Sequence, residues 1–107
     1  MLKLLRVSGQ SLAPIYQDGD FVLTSKIPIL IGRLYPGDVV VANHPDYGIL
    51  IKLVKQIDPD GRHLSLVGLH PDSVDSRRFG PIPMEYIQGK VIWVIKRPDS
   101  KGITPGG

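Results

Sequence analysis

A serine in a turn-like segment and two lysines in an apolar run are the residues of this chain best suited to chemistry. Ser11 lies in VSGQSLAP, residues 7–14, and Lys52 and Lys55 lie in ILIKLVKQI, residues 49–57. Burial among apolar side chains lowers the proton affinity of a lysine, because it disfavours the charged ammonium. A neutral amine then takes the proton from a serine hydroxyl and activates the oxygen for attack on a carbonyl carbon.

The alternation of side chains along this run does not distinguish the two lysines. In an extended strand Lys52 shares one face with Leu50 and Val54, and Lys55 lies on the opposite face. A run of this kind, taken alone, more often holds lysines whose ammonium reaches water. Both lysines therefore stay candidates for a base.

A third polar segment is PDSVDSRRFGP, residues 71–81. The simpler interpretation is an exposed loop with Asx turns. The alternative is a fixed Asp-Arg pair that holds this loop against the serine and the lysine.

Other chemistries have less support. The chain has no cysteine, which excludes disulfides, thiolate metal sites and a thiol nucleophile. His44, His63 and His70 share no metal-ligand spacing and give no clear Ser-His-Asp order. We expect the histidines to be surface or turn residues, and we expect no metal and no cofactor.

The elements that must position these residues are short strands. Ten prolines and twelve glycines leave no room for a long helix. DPDG, residues 58–61, predicts a hairpin, and PMEYI, residues 83–87, is the one helical turn. Six runs rich in Val, Ile and Leu predict strands at 2–7, 21–25, 38–42, 49–57, 63–67 and 90–95. We predict an all-β fold, a small single-domain, partly closed β-barrel of about six strands.

The composition is that of one globular domain without a membrane anchor. The chain has 107 residues, is 42% hydrophobic and carries a net charge of +3. Its basic residues are scattered, which is not typical of a nucleic-acid surface, and no apolar stretch approaches the roughly 20 residues that span a bilayer. We expect a soluble, cytoplasmic protein with a domain over residues 1–96 and a flexible tail over 97–107.

Four segments, in this order, resemble the signal peptidase I family of serine-lysine peptidases, over about residues 5–95. They are GQSLAP (9–14) for Gly-x-Ser-Met-x-Pro, GDFVL (19–23) with a second version in GDVVVA (37–42), IKLV (51–54) for the lysine strand, and SVDSRRFG (73–80) for Ser-x-Asp-Ser-Arg-x-x-Gly. The resemblance implies the catalytic core that this family shares with the self-cleaving repressors.

The resemblance also implies roles for individual residues. Ser11 matches the nucleophile, Lys52 the general base, Ser73 the serine that orients the amine, and Asp75 and Arg77 a structural pair that supports this loop. The same matches imply an oxyanion hole at the backbone N–H of the nucleophile and a substrate groove. The residues concerned are Gly9 and Gln10 for the oxyanion turn, and Leu12, Pro14 and Phe21 for the groove.

Three departures from the family pattern affect these implied roles. Leu12 replaces a methionine, which keeps an apolar side chain, and Leu53 replaces an arginine after the lysine. A Gly-Asp-Asn sequence precedes the last motif in the family, whereas this chain has GLHPDS with Leu69 in place of the aspartate. This difference bears on the placement of Ser73, and a pseudoenzyme of the same fold stays an alternative.

Without an anchor, the chain is similar to the proteases that mature nickel-type superoxide dismutase by removing an N-terminal propeptide. The implied partner is that precursor, bound as an added strand along FVLTSK, residues 21–26, or along the strand before Lys52. One rival is a non-catalytic β-barrel that binds a peptide or nucleic acid. Another is a self-cleaving repressor-type peptidase, but only ten residues precede Ser11, so we expect no self-processing.

Overall fold

The computed structural model describes residues 2–7, 16, 18–69 and 74–96, which form one antiparallel sheet of seven strands. The strands are β1 (Leu2–Arg6), β2 (Phe21–Ser25), β3 (Val39–His44), β4 (Gly48–Ile57), β5 (His63–Val67), β6 (Ile82–Pro83) and β7 (Ile87–Ile95). Two four-residue helices, α1 (Ile27–Leu30) and α2 (Ser76–Phe79), and a 3₁₀ turn (Met84–Tyr86) complete the described fold.

The strand order β1-β2-β7-β3-β4-β5-β6 leaves β1 and β6 at the two ends of the sheet. Over the described residues the two end strands do not pair, so the sheet is open, as in a partly closed barrel. The all-β prediction is confirmed. The six predicted runs correspond to β1–β5 and β7, and DPDG forms the predicted hairpin between β4 and β5.

The hydrophobic core lies on both faces of the central strand β3. Its consecutive residues Val40, Val41 and Ala42 are all almost completely buried. One cluster, around Val40, covers the face on which β4 places Val54 and β5 places Leu64 and Leu66, and a smaller one surrounds Val41 on the other face. A strand that is covered on both faces has a continuous run of apolar residues in its sequence. VVVA, residues 39–42, is such a run.

The sheet bends at three register shifts. They lie between Leu23 and Thr24 of β2, between Val41 and Ala42 of β3, and between Val54 and Gln56 of β4. Each shift places an extra residue on one strand, which increases local twist and curvature. In β4 the extra residue is Lys55, which has no partner in the β5 ladder.

Two expectations are wrong. FVLTSK does not provide an open strand edge, because β2 pairs with β1 on one side and with β7 on the other. His44 is not a surface residue: it ends β3, is 8% exposed, and its ring centroid lies 4.8 Å from that of Phe79. His63 is partly exposed, at the start of β5, and His70 lies outside the described residues.

The helices of the described chain have four residues each, far fewer than a bilayer crossing needs. The predicted tail, residues 97–107, lies outside the described residues.

Candidate active site

The central residue of the site is Lys52, in the middle of β4. It lies opposite Val40 of β3, and only 3% of its surface is exposed. Because Val40 belongs to the larger core cluster, the aliphatic stem of Lys52 enters an apolar environment. Burial lowers the pKa of the Lys52 amine below the ordinary value of a lysine.

The structure separates the two lysines that the sequence pattern left equal. The bulge between Val54 and Gln56 makes Lys55 an extra residue, and its side chain is exposed. Lys52 lies before the bulge, where the strand is regular and paired with β3. The desolvation that a neutral lysine requires is therefore found at residue 52 and not at residue 55.

Beside this lysine, Asp75 and Arg77 form a tightly hydrogen-bonded pair. Asp75 is fully buried and caps the N-terminus of α2, because its Oδ1 accepts the Arg77 backbone N–H at 3.0 Å. The Arg77 guanidinium donates through Nε at 3.0 Å to Oδ1 and through Nη2 at 2.7 Å to Oδ2. A two-point contact of this kind fixes both the position and the orientation of the carboxylate.

Contacts of Gly68 and Ser76 anchor the Asp75 segment to β5 and to the residue that follows it. Sequence reasoning assigned neither residue a role. The backbone N–H of Gly68 donates to Asp75 Oδ2 at 2.7 Å. The N–H of Leu66 donates to Ser76 Oγ at 2.8 Å, so a side chain of α2 satisfies the backbone of the strand. The serine hydroxyl at the start of a short helix is a weak signal for such a contact.

Two charges near Lys52 act on its pKa in opposite directions. Asp75 raises the pKa of Lys52 and Arg77 lowers it, so burial decides the net direction. Burial by itself would raise the pKa of Asp75, but hydrogen bonds from the Arg77 side chain and from the N–H groups of Gly68 and Arg77 hold it well below its usual range. Among the described residues, no hydrogen-bond or ion-pair partner lies within reach of the Lys52 amine.

Six of the predicted site residues lie outside the described residues. They are Gly9, Gln10, Ser11, Leu12, Pro14 and Ser73. The structure therefore brings together Lys52, Asp75 and Arg77, and their association with Ser11 and Ser73 stays a prediction. Phe21 opens β2, opposite Arg6 and Ile95, and is 39% exposed.

One group in the described chain has the side chains that a metal would need. Ligand atoms of Asp58, Asp60 and His63 lie within 4.8 Å of one another in the β4–β5 turn. Asp60 Oδ1 accepts the Arg62 N–H at 2.7 Å, and His63 Nδ1 lies 3.0 Å from Asp60 Oδ2. These bonds account for the cluster as part of the hairpin turn.

Comparison with known proteins assigns the chain to a family. The family model described as "Peptidase S24-like" matches residues 1–92, which is most of the chain. The chain belongs to the Peptidase S24-like family. This family lies in the superfamily of signal peptidases and self-cleaving repressors, and its members are serine peptidases. No curated protein shows significant similarity to the chain.

Membership of the Peptidase S24-like family covers the region from β1 to β7, with Lys52 near its middle. The predicted peptidase class and the all-β fold agree with this assignment at the level of the superfamily.

Proposed function

We propose that this protein is a serine endopeptidase with a Ser11–Lys52 dyad that removes an N-terminal propeptide from a precursor protein. The observation that carries the proposal is the Lys52 amine: it is almost completely buried, and no partner lies within reach among the described residues. In a chain of a serine-peptidase family, an amine of this kind is suited to act as a general base.

The reaction proceeds through an acyl-enzyme. Neutral Lys52 takes the hydroxyl proton of Ser11 while the serine oxygen attacks the scissile carbonyl. The resulting ammonium then protonates the leaving amine, and the ester remains on Ser11. A water molecule then gives a proton to the Lys52 amine and attacks the ester carbonyl. The bond to the Ser11 oxygen breaks, the Lys52 ammonium returns the proton to that oxygen, and the acid is released. Both side chains are then in their starting states. A backbone N–H at Ser11 stabilises the oxyanion, worth about 3 kcal/mol for one donor.

Asp75 and Arg77 support this chemistry by controlling charge. A carboxylate that is free to pair with Lys52 would keep the amine protonated and inactive. The Asp75 carboxylate is instead bound by Arg77 and Gly68, so its charge is already compensated. The same bonds fix the chain directly after Ser73, which we propose orients the amine.

The strand before Lys52 is the substrate edge that remains, because β2 is paired on both sides. β5 pairs with β4 from Leu53 onwards, whereas among the described residues the ladders place residues 48–50 beside β3 alone. We propose that the substrate lies extended along residues 48–50, because main-chain pairing at a strand edge gives affinity with little sequence preference. The proposed substrate, a nickel superoxide dismutase precursor, rests on the sequence resemblance.

The test is cleavage followed by mass spectrometry. The purified protein is incubated with a nickel superoxide dismutase precursor and, separately, with a library of unstructured peptides. We expect one cut near the precursor N-terminus, no cut with Ser11→Ala or Lys52→Met, and normal cutting with the matched control Lys55→Met.

Each of the other possible outcomes would overturn a different part of the proposed function. Cutting of the library but not of the precursor would show a peptidase with another substrate. Cutting that needs Lys55 and not Lys52 would disprove the base assignment. No cutting of either substrate would refute the peptidase and favour a non-catalytic module.

A further inference from the structure

Gly19 and Asp20 close the base of the segment that contains Ser11. The Gly19 N–H donates to the Val7 carbonyl at 2.9 Å, and the Val7 N–H donates to the Asp20 carbonyl at 2.7 Å. Two residues thus face one, which is a β-bulge, and Gly19 has a φ of 95°, a conformation that favours glycine. Ser11 follows Val7 by four residues. We call this arrangement the first Gly-Asp bulge.

Gly37 and Asp38 form the same arrangement on the strand of the proposed base. The Gly37 N–H donates to the Val54 carbonyl at 2.8 Å, the Val54 N–H donates to the Asp38 carbonyl at 2.8 Å, and Gly37 also has a φ of 95°. Val54 follows Lys52 by two residues. In this second Gly-Asp bulge, the single facing residue is therefore next to the other member of the dyad.

Strand β7 connects the two bulges through two lysines. Lys96 Nζ lies 2.9 Å from Asp20 Oδ2, and Lys90 Nζ lies 3.3 Å from Asp38 Oδ1. The sheet order places β7 between β2 and β3, the strands that begin directly after the two aspartates. Lys96 Nζ also lies 5.6 Å from the ring centroid of Tyr16, on the other side of the Ser11 segment.

We propose that Lys96 and Lys90 are positioning residues that hold the Ser11 segment and the Lys52 strand in register through the two Gly-Asp bulges. The inference rests on the proposed function, since it assigns the alignment of that dyad to β7. An ion pair to each aspartate fixes the residue whose carbonyl accepts the N–H of Val7 or Val54, which lie four residues before Ser11 and two residues after Lys52 in the sequence. A displacement of about 1 Å in such a pair can cost about a hundredfold in rate.

The two bulges differ in how much they depend on their lysine. Asp20 is 2% exposed, so its carboxylate depends on partners within the protein. Asp38 is more exposed, so water can solvate its carboxylate when Lys90 is lost. Loss of Lys96 therefore has the larger effect.

Amide hydrogen exchange tests the bulges without reference to activity. In Lys96→Met, exchange of the Val7 and Gly19 N–H groups is expected to rise at least tenfold, while that of Gly37 and Val54 stays within threefold. Lys90→Met gives the reverse pattern with a smaller rise, and the exposed Lys26→Met changes neither pair. Unchanged exchange of Val7 in Lys96→Met would refute the role of the ion pair.

Kinetics on the nickel superoxide dismutase precursor test the positioning role. Per folded molecule, Lys96→Met is expected to lower kcat about tenfold to a hundredfold with KM within twofold, and Lys96→Arg to restore most of kcat. Faster exchange with unchanged kcat would make the pair structural only and overturn the proposal. Absence of wild-type cleavage of both the precursor and the peptide library would refute the proposed function, and the positioning role with it, whatever the exchange data show.

Discussion

Replacing Lys52 by methionine should stabilise the protein while it abolishes activity. Methionine keeps the length of the apolar stem and removes an amine that is almost completely buried, with no partner in reach among the described residues. Burial disfavours the ionised form of this amine, which costs folding free energy near neutral pH, so Lys52→Met should raise the free energy of unfolding by about 1–3 kcal/mol. For a domain of this size, each kcal/mol corresponds to roughly 4–8 °C in Tm.

The increase in the free energy of unfolding caused by Lys52→Met should become smaller as the pH rises. The folded state lowers the pKa of Lys52, so near neutral pH the unfolded chain holds this proton more firmly than the folded chain. Wild-type stability therefore rises as pH increases from the lowered pKa toward the ordinary lysine value of about 10.4, where both states are neutral. The advantage of Lys52→Met is therefore complete below the lowered pKa and shrinks as the pH rises toward about 10.4.

Urea unfolding of both proteins at pH 7 and pH 10 measures this difference. Lys55→Met, on the same strand but exposed, is the matched control and should change stability by no more than about 0.5 kcal/mol. A Lys52→Met protein that is less stable than the wild type at pH 7, or a gain that is equal at both pH values, would refute a desolvated lysine.

Three further changes test other parts of the site. Asp75→Asn should lower the free energy of unfolding by about 2–3 kcal/mol at pH 7. Because the folded state lowers the pKa of Asp75, this loss should shrink below about pH 4, and equal losses at pH 7 and pH 3 in urea would contradict the ion pair. Gly37→Ala should lower the free energy of unfolding by about 1–2 kcal/mol. The loss would come from the positive φ alone, because an added Cβ meets no atom within 4 Å. An unchanged urea midpoint would contradict this prediction. Arg77→Met removes a cation that lowers the pKa of Lys52, so the alkaline rise of kcat/KM should move to higher pH. The control Arg78→Met should not move it. A wild-type kcat/KM that is flat from about pH 6 to 10 would exclude a lysine base.

The strands were predictable because local composition and local structure agree. HLSLV forms β5 directly after the DPDG turn, and the valine run at residues 39–41 begins the buried strand β3. The start of β7 was missed by three residues, since Ile87 was assigned to the preceding helical turn. β6, with two residues, and α2, with four, are too short to give a periodic pattern.

The choice between Lys52 and Lys55 was not predictable from the sequence in the same way. Lys52 is buried because it shares with Val54 the face of β4 that packs on the larger core cluster, whereas Lys55 lies in the bulge, which shows only in the pairing with β5. An alternating pattern assumes a regular strand, so it assigns both lysines equal chances of burial. Only the pairing and packing of β4 in the folded protein distinguish the two lysines.

The surroundings of Asp75 explain how burial can lower the pKa of a lysine that lies beside an acid. A buried lysine usually persists because a carboxylate pairs with it, and such pairing keeps the ammonium form. Here the nearby carboxylate is already held by Arg77 on one side and by the Gly68 N–H on the other. The guanidinium opposes its attraction for the Lys52 proton, and desolvation prevails, so the net effect is a lowered pKa of Lys52. The pair that supports the loop therefore also sets the charge of the amine, and these two roles cannot be separated by removing Asp75 alone.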